Sequence, residues 1–340
     1  MATAPRVRPW DQTSRITIER VTRVEDLRFR AGALTLAATL TLPEADGRRP
    51  WALLVGSWLP RDRDGGWDRS RHAGWFAPAY GAEHGILARL AGALAERGVA
   101  TLRYDPRGCG ESDGSWKATD LFTRIDDARD AIGAMRSRPE LDLRRCAIVG
   151  HGEGAGVAIS AAIADPAIGA VGLIGPSARS LRDVLRRGVA QRARTGTDHE
   201  HPIVEAIDRS AEELIERAER REPSMPLRIG EEELTLGLAA WEQGFHTPVL
   251  ALATMLHRNV VIAHGSADAW AHPDESHLLE AVLRESGNDP LLQELDGVGH
   301  DLAAADDPAV AEFAGALAER IEPRELPPVL VAIEQMGLDG

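Results

Sequence analysis

The chain has 340 residues, 44% of them hydrophobic and 27% charged, enough apolar material for one large α/β domain with an insertion or for two domains. Its net charge of −14 argues against non-specific binding to nucleic acid or to an anionic membrane, since both require a basic face. Two cysteines, Cys109 and Cys146, are too few for a disulfide framework. With no apolar leader at the N-terminus and no apolar run long enough to cross a bilayer, the expected setting is the cytoplasm.

In chain order, two extended segments come first, "ITIERVTR" and "ALTLAATLTL", the second partly alternating as an exposed hairpin would. A repeating order of buried strand, loop and helix follows. "WALLVG" is a short apolar run bounded by turn residues, and "GILARLAGALAERG" has leucines and alanines at helical spacing with a glycine stop. "VATLRYD" predicts a strand, "LFTRIDDARDAIGAMRSR" an amphipathic helix, and "CAIVG" another strand. "GAGVAISAAIA" opens a helix of small residues, and "AVGLIG" is a fourth apolar strand. Such alternation implies a mostly parallel sheet with helices on both faces.

After Pro176 the pattern changes to charged helical sequence, with no strand-like run expected before about Gly244. This stretch is expected to form a helical cap. The parallel pattern resumes with "NVVIAHG", a helix from Ser276, "LLQELDG" and a closing helix that begins at Pro308. The expected organisation is therefore a core in two parts, 1–176 and 251–340, separated by a cap over 177–250.

In parallel sheets, chemistry gathers at the carboxyl ends of the strands. Asp268 follows "VVIAHG", and His300 follows "LLQELDG". After "CAIVG" comes His151-Gly152-Glu153-Gly154, a glycine-rich turn into a helix. Elbow, acid and histidine in that chain order match the order of a Ser-Asp-His triad. "DHEHP", with His199 and His201, offers two ligands at metal-like spacing but no third nearby, so neither a metal nor a cofactor is expected.

With these residues the chain resembles the α/β-hydrolase superfamily, in particular the bacterial esterase-like branch related to dienelactone hydrolases. "GSWLPRDRDGG" is similar to that branch's Gly-Ser…Asp-Arg-Asp-Gly loop. "YDPRGCGES" is similar to its Tyr-Asp-x-Arg-Gly-x-Gly-x-Ser loop, and "GHGEGA" to its Gly-His-Ser-Glu-Gly elbow. The resemblance runs over about 34–321 and implies the α/β-hydrolase fold with a mostly parallel twisted sheet. Two departures stand out. Gly152 occupies the position of the nucleophilic serine, and the loop after Gly56 is one residue longer than the pattern.

Without a side chain at Gly152, acyl transfer through that position is closed. The resemblance leaves three parts of the machinery in place. His300, oriented by Asp268, is the candidate general base. The amide of Glu153, with that of Ser57 or Trp58, is the candidate oxyanion hole. Trp75, Phe76, Trp270, Cys109 and His151 are the candidate pocket residues, and aromatic residues gathered in loops fit equally an apolar, partly planar small molecule or a packed Ω-loop that stabilises itself.

The expected activity is non-covalent general-base chemistry on an acyl ester or activated carbonyl compound, with elimination of a carboxylate ahead of hydrolysis. Two other classes remain: a serine esterase or thioesterase whose elbow serine has been replaced by Gly152 to trap substrate, and a non-catalytic binding protein on a hydrolase scaffold. Asp268 and His300 are both present, and a pure binder has no need of either. A small-molecule substrate is the expected partner; the sequence does not fix the oligomeric state, and a homodimer is one assembly open to it.

Overall fold

Strands buried on both faces of a sheet must present apolar side chains alternately to each side. The central strands here do so in a computed structural model, which describes residues 16–19, 22–44, 46–68, 70–72, 85–195, 202–268, 270–302, 308–328 and 330–331. The chain begins with β1 (Ile16–Glu19), β2 (Thr22–Ala31) and β3 (Leu34–Pro43), paired antiparallel in succession. The segment read as one extended run, "ITIERVTR", is thus divided between β1 and the start of β2, which pair with each other.

The core continues with β4 (Arg49–Val55), α1 (Ile86–Ala95), β5 (Ala100–Tyr104), α2 (Leu121–Arg136), β6 (Leu141–His151), α3 (Gly154–Ala164) and β7 (Ile168–Ile174). In β4, Trp51, Leu53 and Val55 join one core cluster while Ala52 and Leu54 join the other. Cys146 and Ile148 of β6 alternate with Ala147 and Val149 in the same way. The first cluster is closed by α2 and α3, the second by α1.

Between β7 and the next core strand lie α4 (Leu181–Thr195), α5 (Pro202–Arg209), α6 (Ala211–Glu219), β8 (Ser224–Ile229), β9 (Glu232–Gly237), α7 (Ala239–His246) and α8 (Val249–Ala253). The expectation of an all-helical cap is corrected here, because β8 and β9 form an antiparallel two-stranded sheet. Met225 and Leu227 are buried while Pro226 and Arg228 are exposed, the alternation that a half-buried strand needs. The cap has its own core, in which Leu185, Ile207, Leu214, Met225, Leu236, Trp241 and Phe245 pack with Leu59 and Trp116 from core loops. Gln243 fastens the cap to the first turn of α2 by accepting from the Leu121 N–H at 2.8 Å and donating to Asp120 at 2.9 Å.

The chain then completes the core with β10 (Asn259–Gly265), α9 (Asp274–Glu285), β11 (Leu291–Leu295) and α10 (Pro308–Glu319). The main sheet has nine strands in the order β1-β2-β3-β5-β4-β6-β7-β10-β11, parallel from β5 onward. Leu326 and Leu330 of the tail pack on Leu143 and Ala167. Among the described residues, no helix is long and apolar enough to cross a membrane.

Candidate active site

The carboxyl ends of β4, β6, β7, β10 and β11 converge beneath the cap. The turn between β6 and α3 is so tight that side chains are excluded on both sides of it. A Cβ at Gly150 would lie 2.2 Å from Gly154 O, and one at Gly154 would lie 2.6 Å from Gly56 O. Gly152, between them, has φ +57°, the left-handed conformation in which an elbow residue is thrust above the sheet. Its N–H donates to Ile174 O at 2.8 Å.

Asp268 and His300 arrive from the loops after β10 and β11. His300 Nδ1 lies 2.7 Å from Asp268 Oδ2. A carboxylate at this point accepts, so Nδ1 donates and, in the neutral imidazole, Nε2 carries the lone pair. The carboxylate is held from every side: Oδ1 accepts from the Trp270 and Ala271 amides at 2.7 and 2.9 Å, and His264 Nε2 lies 3.2 Å from Oδ2. Burial alone would raise the Asp268 pKa, but the charge of His300 and the hydrogen bonds from His264 and His300 hold it well below the usual carboxylate range. Burial pulls the His300 pKa down, yet the charge and hydrogen bond of Asp268 carry it above the ordinary histidine value.

His300 Nε2 faces the elbow. A Cβ built on Gly152 would lie 3.0 Å from Nε2 and 3.3 Å from Ser57 Oγ. The histidine therefore stands closer to Gly152 than a side-chain carbon ordinarily allows. Glycine also governs the support of the pair. At Gly175, with φ +52° after β7, a Cβ would lie 2.9 Å from His300 Nδ1 and 3.0 Å from Asp268 Oδ2. Sequence reasoning missed this residue; its signal is a glycine ending an apolar strand in the same sheet position as the elbow.

A cavity opens over these groups. Ser57, Trp58, Gly152, Glu153, Trp270 and His300 line its base, and Leu181, Val184, Leu185, Ile207 and Trp241 of the cap form its apolar roof. Trp58 meets Trp241 edge to face at a centroid distance of 4.5 Å, so a core loop and the cap share one aromatic wall. Burial pushes the Glu153 carboxyl up to about 7, against the opposing charge of Arg124. Arg124 bonds Gly56 O at 2.6 Å and reaches Glu153 at 3.5 Å, tying the loop after β4 to the elbow.

Two of the expected pocket residues are placed away from the cavity, and two fall outside the described residues. His151 does not line the cavity. It is fully buried, with its ring 4.7 Å from the His300 ring and Nε2 3.3 Å from Asp301. Cys109 is corrected in the same way: it packs into the cap cluster behind the cavity wall, and burial pushes its thiol far above the ordinary range. Trp75 and Phe76 lie outside the described residues, as do His199 and His201.

Apart from cavity-lining residues such as Ser57, Trp58 and Arg61, the two family-like loops fasten each other. Arg63 donates to Asp105 through its backbone N–H at 2.7 Å and its guanidinium at 2.6 and 3.0 Å, clamping the loop after β4 to the loop after β5. Donor atoms of Asp68, His72 and Cys109 come within 4.8 Å of one another, the spacing of a metal site. Asp68 nevertheless accepts from the amides of Ser70, Arg71 and Gly110, and His72 Nε2 contacts Gly108 O at 2.9 Å. Those bonds, with a protonated thiol, are the fastening of a loop.

A parallel sheet with a strand-turn-helix elbow, followed by an acid and a histidine on two later strand ends, defines an α/β-hydrolase. The profile of the family described as serine aminopeptidase, S33, matches residues 75–307, and the chain belongs to that family. No curated protein matches the sequence significantly. Among solved structures, Est1E from Butyrivibrio proteoclasticus with bound ferulic acid is 16% identical with a TM-score of 0.59, over 86% of this chain and 98% of that one. The α/β hydrolase GrgF from Penicillium sp. sh18 is 17% identical with a TM-score of 0.60, over 88% and 99%. The esterase domain of a Rhodothermus marinus protein is 17% identical with a TM-score of 0.57, over 88% and 99%. At these identities the likeness is one of fold.

Proposed function

We infer that the chain is an enzyme of the α/β-hydrolase fold that uses the His300–Asp268 pair as a general base, without a covalent intermediate at the elbow, on an acyl ester or activated carbonyl compound. The observation carrying this reading is that His300 Nε2 faces Gly152 across 3.0 Å to a would-be Cβ, while Nδ1 is fixed on a buried carboxylate. A binding scaffold gains nothing from burying an ionised Asp268 beside a histidine.

The reaction this arrangement favours is elimination of a carboxylate. His300 Nε2 takes the proton from the carbon beside a carbonyl. The electron pair moves toward the carbonyl oxygen, where the amides of Glu153 and of Ser57 or Trp58 are the candidate donors, each typically worth about 2.7–4 kcal/mol. The C–O bond to a β-acyloxy group then breaks, giving an alkene and a carboxylate, and His300 releases its proton to solvent. No step requires a hydroxyl at position 152.

The test is incubation of the protein and of His300→Ala with a panel of simple acyl esters and β-acyloxy carbonyl compounds, with products identified by mass spectrometry. His300-dependent release of carboxylic acid with formation of an alkene is the expected result. Hydrolysis of the esters with no alkene from any β-acyloxy compound would overturn the elimination reading.

A further inference from the structure

We propose that Arg61 is an anion subsite of this cavity, binding a carboxylate carried by the substrate at a distance from the reacting bond. The proposal rests on the reading of the cavity as the active site and deepens it by naming a substrate class: an apolar or aromatic compound bearing a free carboxylate.

Arg61 lines the same cavity as Gly152 and His300, yet only 4% of the residue is exposed. Its guanidinium is held in place on one side. Nη1 donates to Gly65 O at 2.7 Å and to Asp301 Oδ2 at 3.2 Å, and the group stacks over Trp67 at 4.9 Å from the ring centroid. Arg61 and Trp67 are further joined by an isolated antiparallel bridge. Both hydrogen bonds leave from Nη1, and Nε is buried without a partner among the described residues. A buried, unpartnered donor on a charged group is costly in a folded protein unless a ligand completes it.

The edge formed by Nε and Nη2 makes no hydrogen bond among the described residues. Two parallel N–H groups on one edge of guanidinium match the two oxygens of a carboxylate. The surroundings select the charge of the ligand. Asp301 already offsets part of the cation, and Glu153 and Asp208 line the same cavity, so a monoanion suits the site better than a dianionic phosphate. The apolar roof of Leu181, Val184, Leu185, Ile207 and Trp241 suits the hydrocarbon or aromatic part of such a molecule.

The test is a binding measurement, independent of turnover. Calorimetry at pH 7.5 would compare 3-phenylpropanoate, its neutral amide 3-phenylpropanamide, and phenyl phosphate. The carboxylate is expected to bind at least about tenfold more tightly than the amide, from two charge-assisted hydrogen bonds. Arg61→Lys, which keeps the charge and loses the edge, should reduce that preference. Removing Arg61 alone strands Asp301, so the decisive variant is Arg61→Gln with Asp301→Asn, in which the preference should vanish, whereas Asp301→Asn alone should retain it.

Equal affinity of carboxylate and amide for the unaltered protein would overturn the subsite, as would no binding of the carboxylate, tighter binding of phenyl phosphate, or a preference that survives in the double variant. Failure of the His300-dependent conversion with an intact carboxylate preference would instead overturn the proposed chemistry and leave the subsite standing.

Discussion

Gly175→Ala would place a methyl group directly beneath the His300–Asp268 pair. Its Cβ would lie 2.9 Å from His300 Nδ1 and 3.0 Å from Asp268 Oδ2, inside the ~3.5–4.0 Å at which non-bonded heavy atoms rest. Relief requires the pair to open by about half an ångström. Lengthening the 2.7 Å contact to about 3.3 Å loses about 1 kcal/mol of attraction at an effective dielectric near 20. The left-handed backbone at φ +52° adds roughly 1–2 kcal/mol of strain for an alanine. The total lies within the roughly 5–15 kcal/mol by which folded domains are stable, so the variant should fold.

Because Asp268 is what lifts the His300 pKa against burial, opening the pair should let that pKa fall. The assay is an NMR titration of labelled histidine in both proteins, with thermal melting as the check on folding and turnover measured alongside. Turnover should drop about 10–100-fold, as it does when a catalytic group is misplaced by a fraction of an ångström to one ångström. A folded Gly175→Ala protein with unchanged His300 titration and unchanged turnover would refute the claim that this glycine positions the pair.

Three further outcomes follow from the same electrostatics. General-base action needs neutral His300, so kcat/KM should rise with pH through a midpoint above the ordinary histidine value, and Asp268→Asn should move that midpoint down while lowering kcat; a flat profile from pH 5 to 9 would contradict it. Burial would raise the Asp301 pKa, but Arg61 and His151 hold it well below the carboxylate range. Its contribution to stability is therefore present above its unfolded pKa and lost as pH falls through the lower folded value, so the gap in melting temperature between the native protein and Asp301→Asn should close below about pH 4. Burial raises both cysteine thiols, Cys146 to about 12 and Cys109 further still, so neither should react with a thiol reagent at pH 8 until the chain unfolds.

The α/β core was legible because its signals are local: short apolar runs between turn residues, helices with regular apolar spacing, and Gly152, Asp268 and His300 each just past a strand. The hairpin of β8 and β9 was not read, although "RIGEEELTLG" carries a glycine between alternating runs; the many charges around it looked helical, and burial of Met225, Leu227 and Leu236 against Trp241 decided otherwise. Side-chain direction was the other limit. His151 adjoins Gly152 in sequence and Cys109 lies in the loop after β5, but neither faces the cavity: His151 packs against His300 and Asp301, and Cys109 turns into the cap cluster. Arg61 carried no site signal in the sequence. Only its anchoring by Gly65, Trp67 and Asp301 shows which of its N–H groups are already used.

The most direct test of serine-free chemistry compares the native protein with Gly152→Ser on a β-acyloxy carbonyl substrate and on a simple acyl ester, following products and the intact mass of the quenched protein. The account predicts that the native protein eliminates carboxylate without gaining acyl mass. Serine, whose Cβ built on this backbone would crowd His300 Nε2 at 3.0 Å, is expected to reduce this elimination and to add little ester turnover. An inactive native protein, with rapid ester turnover and an acylated Ser side chain appearing only in Gly152→Ser, would contradict it and mark the chain as a serine esterase lacking its nucleophile.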